Sequence, residues 1–347
     1  MEKRNRMVYL DTLRVAAACA VMVLHSSAQN WYSVDVNGYD WAIFNFYDSI
    51  VRWAVPVFVM ISGVLFLNRE IKICDLYRKY SARLVVAYFS WSTIYAIIGG
   101  KKDVKRMVLA AISGHYHMWF IPMMVGLYIC CPVLKQIVRN RKTAYYYLAV
   151  SFVGAFLIPW MIGLVNDFMP GKIQTIVNTA NSTLSNANLS FVTGYSFYFL
   201  LGYLLNECVF TEQQKHWVYM VGIAGFISTI LLDWIVALKI QQPCGNYYGN
   251  FSVNVLAESV AVFVWFKNHP LKNEKITLQI SRLAKYSFGA YLVHALVIEQ
   301  LATRFEINTM MFDAALTVPL ITCITFVLSF TISMGLNNVP ILKKYVV

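Results

Sequence analysis

Long apolar runs broken by short polar or basic stretches set the rhythm of the chain. A helix that crosses a bilayer needs about 20 mostly apolar residues. Ten segments fit that pattern: residues 8–28, 41–67, 84–98, 116–134, 144–165, 191–205, 217–238, 251–266, 286–302 and 314–334. The expected fold is therefore an all-α polytopic membrane protein, a bundle of about ten transmembrane helices. Two segments are short, and 41–67 is long enough to tilt or to begin with an interfacial turn. The longest connection, 166–190, is polar and rich in asparagine (Asn178, Asn181, Asn186, Asn188). It is expected outside, over a site or against a substrate. No internal repeat, linker or low-complexity tract is visible. Residues 1–347 read as a single membrane domain with no appended soluble one.

Composition agrees. Hydrophobic residues make up 59% of the chain and charged residues 13%, with a mean hydropathy of +0.55. Soluble domains carry about 25% charged residues because their surface faces water. The 22 Tyr, 22 Phe and 9 Trp suit aromatic belts at the two interfaces.

Charge sets the orientation. With the N-terminus inside, Lys3, Arg4, Arg6 and the connections holding Arg69–Arg83, Lys135–Lys142, Lys215, Lys267–Lys285 and Lys343–Lys344 are cytoplasmic. Lys101, Lys102, Lys105, Arg106, Lys172, Lys239 and Arg304 fall outside. The bias is about three to one inward, as the positive-inside rule requires, and both termini are expected in the cytoplasm. The discordant cluster 101–106 reads as the start of a short amphipathic segment on the outer surface. The net charge of +12 belongs to these loops and implies no nucleic-acid partner. The seven cysteines lack a metal-type CxxC, and no metal site is expected. Arg14 and His25 interrupt the first apolar segment, which lacks a convincing cleavage site, so it reads as a retained helix. The sequons at Asn181, Asn188 and Asn250 matter only if the source glycosylates outer loops.

Ionisable groups inside spans carry the candidate chemistry, since each costs about 2.5–3.5 kcal/mol on insertion scales and needs a partner or a purpose. Arg14 and His25 are eleven residues apart, close to three helical turns, so they share a face with a rise of about 16 Å. Asp11 lies three residues before Arg14, the spacing that can hold a guanidinium. Alternatively, Arg14 snorkels to headgroups and His25 sits at the interface. Asp48 and Arg52 are four apart ahead of Pro56, either a structural ion pair beside a kink or part of a site. Glu258 and Asp233 are further intramembrane acids, either able to orient a histidine. His117 and Trp119 lie at the outer mouth of the fourth span, and His294 in the middle of the ninth. Trp119 reads equally as an interfacial anchor, and His294 as a satisfied bundle histidine.

Four of these stretches carry a resemblance. Leu10-Asp11-Thr12-Leu13-Arg14, with ten residues between Arg14 and His25, resembles the opening helix of the membrane-bound acyltransferase-3 family. Val55-Pro56-Val57-Phe58-Val59-Met60-Ile61-Ser62-Gly63, His117-Met118-Trp119-Phe120-Ile121 and Ser287-Phe288-Gly289-Ala290-Tyr291-Leu292-Val293-His294 resemble its later signatures, in the family's order.

The resemblance implies ten helices and transfer of an acyl group, most often acetyl, from cytoplasmic acyl-CoA. The acceptor would be a hydroxyl, or sometimes an amine, of an envelope glycan, glycolipid or related molecule. It implies His25 as the catalytic base and Arg14 on the CoA side. Arg69 and Lys72 resemble the family's basic pair after the second helix, with lysine where arginine is common, a change that keeps charge and loses planar recognition. Arg78 and Arg83 extend that basic mouth, and Glu258 is the second catalytic candidate. Asp11, Arg52, His117, Trp119 and His294 are the expected substrate-side residues. Acetyl-CoA acts as donor substrate, with no permanently bound cofactor. Expected partners are acyl-CoA, the acceptor and the bilayer of a bacterial inner membrane, with a homo-oligomer left open. Composition and spacing alone serve a transporter or flippase equally well, and a scaffold that has lost its chemistry is a third reading.

Overall fold

The protein is described from a computed structural model, which covers residues 7–100, 103–185 and 194–347. Lys3, Arg4, Arg6, Lys101, Lys102, Asn186 and Asn188 lie outside the described residues. The described residues form helices α1 (Val8–Ser27), α2 (Tyr39–Ser49), α3 (Ala54–Leu67), α4 (Ile73–Asp75), α5 (Ala82–Ile98), α6 (Val104–Ser113), α7 (Phe120–Arg139), α8 (Arg141–Ser151), α9 (Ile158–Phe168), α10 (Gly171–Ser185), α11 (Tyr195–Glu207), α12 (Glu212–Ile240), α13 (Val253–Asn268), α14 (Glu274–Leu283), α15 (Ser287–Arg304), α16 (Ala314–Asn337) and α17 (Pro340–Tyr345). Single π-helical stretches join α4 to α5 (Leu76–Ser81) and α8 to α9 (Phe152–Leu157).

Seven helical runs are long and apolar enough to cross a bilayer: Val8–Ser27, Tyr39–Leu67, Ile73–Ile98, Phe120–Arg139, Arg141–Phe168, Glu212–Ile240 and Ala314–Asn337. The other three expected spans correspond to α11, α13 and α15. These are shorter or more polar, at 13, 16 and 18 residues. They are lined with buried side chains, including Tyr198, Asn254, Glu258 and His294. Such interior helices are shielded from lipid by their neighbours.

Two expectations change in detail. The second span breaks at Ile50–Trp53, ahead of Pro56. A proline ring clashes with the carbonyl four residues earlier, which here belongs to Arg52, so the irregular turn falls there. Pro56 itself occupies the first turn of α3, where its missing N–H is not needed. The stretch read as an asparagine-rich loop contains α10, packed on α9. The Gln174 side chain reaches back to the carbonyls of Asn166 and Met169 at 2.8 and 2.9 Å, fixing the turn between the two helices. At 104–113 an amphipathic helix forms as expected, with Asp103 capping it through the Arg106 N–H.

Close helix contact depends on small residues, the main device for packing helices in lipid. At Gly63 an added Cβ would sit 1.8 Å from the Phe199 carbonyl oxygen, and at Gly202 2.4 Å from that of Met60. The pair locks α3 against α11. At the other face of α11, Lys267 of α13 donates to the carbonyls of Leu205, Asn206 and Cys208 at 2.8, 2.7 and 2.5 Å. A cation on the last carbonyls of a helix satisfies acceptors that have no partner within it and complements the negative end of the dipole.

Both ends of the described chain lie in the same half of the bundle. Asp11 accepts from Ser281 of α14 at 2.8 Å, and Tyr9 donates to Asn206. Val346 accepts from Trp91 at 3.0 Å, and Arg83 donates to the Val347 carbonyl. The opposite half holds the connections around Asn30–Thr309 and Asn37–Gln241, each joined by a side-chain hydrogen bond of 2.8 Å.

Candidate functional site

Four of the six histidines meet between the end of α1, the turn before α7 and the middle of α15. His25 has its ring centroid 5.1 Å from His294, 6.5 Å from His117 and 5.3 Å from Tyr116. His117 and His294 stand 5.0 Å apart. His115 completes the group, stacked on Tyr95 at 4.1 Å. Tyr291 clamps the turn by donating to the His117 carbonyl at 2.6 Å. Gly114, with φ +73°, opens this turn in the left-handed region that favours glycine. An added Cβ there would meet the Tyr88 hydroxyl at 2.5 Å.

Hydrogen bonding fixes which nitrogens carry protons when the rings are neutral. The Nδ1 of His294 lies 2.5 Å from the Tyr291 carbonyl oxygen. A carbonyl only accepts, so Nδ1 bears the proton and Nε2 keeps its lone pair. The Nε2 of His115 lies 3.0 Å from a Glu299 carboxylate oxygen, which makes that nitrogen the donor. Its Nδ1 then accepts from His117 Nδ1 at 3.0 Å, leaving the lone pair of His117 on Nε2. Both Nε2 atoms, of His117 and of His294, are buried without a hydrogen-bond partner of normal geometry. The cluster thus presents basic nitrogens beside His25. Among the described residues no three His, Cys, Asp or Glu side chains converge to hold a metal ion.

The other expected site residues divide into three groups. Arg52 pairs with Asp48 and lies over the Tyr248 ring, 3.9 Å from its centroid; its charge acts on His25, Glu258 and Asp233. Trp119 is exposed beside Tyr195, with ring centroids 5.8 Å apart, and has no ring contact with the histidines. Glu258 is held elsewhere. It accepts from Thr229 of α12, whose hydroxyl also accepts from Asn254 at 2.7 Å, and no hydrogen bond joins it to His25. Asp233 likewise accepts from the Tyr247 N–H at 3.0 Å. The acid inside the histidine cluster is Glu299, and together with His115 it escaped the sequence reading. Its available signal was an ionisable group in the last turns of the ninth span, five residues beyond His294.

At the opposite end of α1, Arg14 lies within electrostatic reach of Tyr128 of α7. Tyr128 stacks on Phe66 at 4.2 Å, and Tyr80 meets the same ring edge-on at 5.0 Å. Arg69, Lys72 and Arg78 lie in the connection between Phe66 and Tyr80. Lys72 and Arg78 are exposed and form no ion pair with a described residue. The connection itself is tied down by Lys135, which pairs with Glu70 at 2.8 Å and donates to the Arg69 carbonyl at 2.5 Å. The hydrogen bond and charge from Lys135 hold the Glu70 carboxyl below its ordinary range. Arg83 instead holds the C-terminal carbonyl and sits 6.0 Å from the Phe288 ring centroid.

Seven helical runs long and apolar enough to cross a bilayer mark a multi-pass membrane protein, whose helix bundle holds a buried cluster of histidines. A family model described as an acyltransferase domain matches residues 7–336, nearly the whole chain. The chain belongs to this acyltransferase-3 family and is a membrane acyltransferase. No curated relative and no solved structure matches it.

Proposed function

We propose that the protein transfers an acyl group, most often acetyl, from cytoplasmic acyl-CoA to a hydroxyl of an envelope glycan, glycolipid or related acceptor, with His25 as general base. The observation that carries this reading is the two-ended polarity of α1. Arg14 lies within reach of Tyr128 near the N-terminal end of α1, and His25 lies in the histidine cluster near its other end. In this reading the bundle crosses the membrane ten times with both termini in the cytoplasm, in a bacterial inner membrane. Residues Arg14, Arg69, Lys72 and Arg78 attract the CoA phosphates, and Arg83 contributes through its charge while tying down Val347.

The chemistry balances without another reactant. The acceptor oxygen attacks the thioester carbonyl as an imidazole nitrogen of His25 takes its proton. The tetrahedral intermediate collapses, the C–S bond breaks, and the imidazolium returns the proton to the CoA sulfur. A thioester arm laid along α1 covers the rise of about 16 Å between Arg14 and His25. His294 and His117, on the acceptor side of His25, position the attacking hydroxyl. Glu258, held by Thr229 through one carboxylate oxygen, is the second catalytic candidate, and Glu299 acts on the histidine cluster through His115.

The test is transfer itself. Full-length protein in nanodiscs is supplied with radiolabelled acetyl-CoA and envelope fractions that contain glycans and glycolipids. Label appearing in an ester of one fraction supports the reading. Label that stays on CoA or passes to water with every fraction argues against an envelope acceptor.

A further inference from the structure

Beside the histidine cluster, a cavity of about 580 Å³ opens between the ends of α5 and α15 and the start of the turn before α7. Ligand sites commonly measure about 300–1,000 Å³. Glu299, Gln300, Thr303 and His115 line one side, and Gly99 and Gly100 bring bare backbone to the other. A Cβ at Gly100 would meet nothing within 4 Å, so that wall is open space. Among the described residues no Lys or Arg lines the cavity. Two helices, α5 and α15, end at its rim, and helix C-termini carry partial negative charge and unsatisfied carbonyls. The lining therefore offers the Glu299 carboxylate and backbone carbonyls beside the amide of Gln300 and the hydroxyl of Thr303.

Glu299 uses one carboxylate oxygen on His115 at 3.0 Å, and its side chain remains 39% exposed. The second oxygen is available to the cavity. The hydrogen-bonded series from Glu299 through His115 to His117 leads from this cavity to the ring beside His25.

We propose that this cavity is the port for the acceptor, and that it selects a polyhydroxylated ligand of neutral or positive charge, such as a sugar or amino sugar, over a phosphate- or carboxylate-bearing one. Glu299 binds ligand hydroxyl or ammonium donors and rejects anions, while its bond to His115 keeps the His117 lone pair turned towards the reacting hydroxyl. The purpose of the port rests on the transferase reading above; its binding chemistry does not.

The test uses the full chain in nanodiscs and reads binding by saturation-transfer NMR with three probes: methyl glucoside, glucosamine and glucuronate. We expect saturable binding of the first two and binding of glucuronate weaker by about tenfold or more, the scale of one hydrogen bond to a charged group. Glu299→Gln should weaken the first two about tenfold and narrow the gap to glucuronate. Thr303→Trp, at the exposed rim, should remove binding of all three. The proposal is overturned by wild type that binds none of the probes, by glucuronate binding as well as methyl glucoside, or by binding that neither variant alters. Acetyl-CoA binding measured on the same wild-type samples separates the two readings. Its absence would sink the donor assignment and leave the port result standing.

Discussion

His25 and His294 face each other with ring centroids 5.1 Å apart, although one closes the first helix and the other sits in the middle of α15. Because the Tyr291 carbonyl holds the Nδ1 proton of His294, the nitrogen left free is Nε2. The polarity of the His294 imidazole is therefore defined beside His25. In the proposed reaction His294 orients the hydroxyl while His25 takes its proton.

In the proposed reaction His115 is a positioning residue rather than a base, since both its nitrogens are engaged, with Glu299 and with His117. His115→Phe keeps a ring on Tyr95 and removes both bonds. We expect kcat to fall about tenfold or more, because the His117 tautomer is no longer specified. KM for acyl-CoA and the thermal midpoint should stay near wild type. An unchanged kcat, or a matching loss of stability, would show that the side chain only fills space.

Gly63 permits the contact between α3 and α11, and an added methyl would overlap the Phe199 carbonyl at 1.8 Å. Gly63→Ala should lower stability by about 1–3 kcal/mol, the cost of overpacking a close contact, read as a drop in the thermal midpoint in detergent. Gly202→Ala should act similarly, and the double variant should lose less than the combined single effects because the two relieve one contact. Independent, additive losses would mean that the helices do not share this crossing.

Lys267 closes α11 with three carbonyl hydrogen bonds. Lys267→Met keeps most of the apolar stem and abandons those acceptors, and should cost about 1–3 kcal/mol. Lys267→Arg should restore part of the loss, since its donors reach the same oxygens. Thermal unfolding of the three proteins settles the point, and an unaffected Met variant would mean that water satisfies the carbonyls equally well.

Much of the bundle was legible because lipid imposes a simple rule on sequence, long apolar runs with basic flanks. The helices at 8–27, 314–337 and 212–240 follow it closely. The Arg14–His25 stripe was legible for a similar reason, since residues on one helix have a fixed relation. What periodicity does not contain is which helices touch. His115 and Glu299 belong to different elements, and only the packing of the turn before α7 on α15 brings them within 3.0 Å. Glu258 shows the converse. Its intramembrane position marked it as chemistry, and the bundle sets one of its carboxylate oxygens on Thr229 of the neighbouring helix, a pairing that periodicity does not contain. The break at Ile50–Trp53 was displaced from Pro56 because proline disturbs the turn before it, not its own position.

The most direct measurement is acetyl-CoA binding and slow thioester hydrolysis by purified protein, compared among wild type, His25→Ala and Arg14→Ala. We expect wild type to bind and hydrolyse. Arg14→Ala should bind about tenfold more weakly, the scale of one lost charge-assisted contact. His25→Ala should bind normally with hydrolysis reduced about 10²–10⁴-fold, as removal of a general base requires. Wild type that neither binds nor cleaves any of several acyl-CoAs, or His25→Ala that cleaves at the wild-type rate, would contradict the assignment.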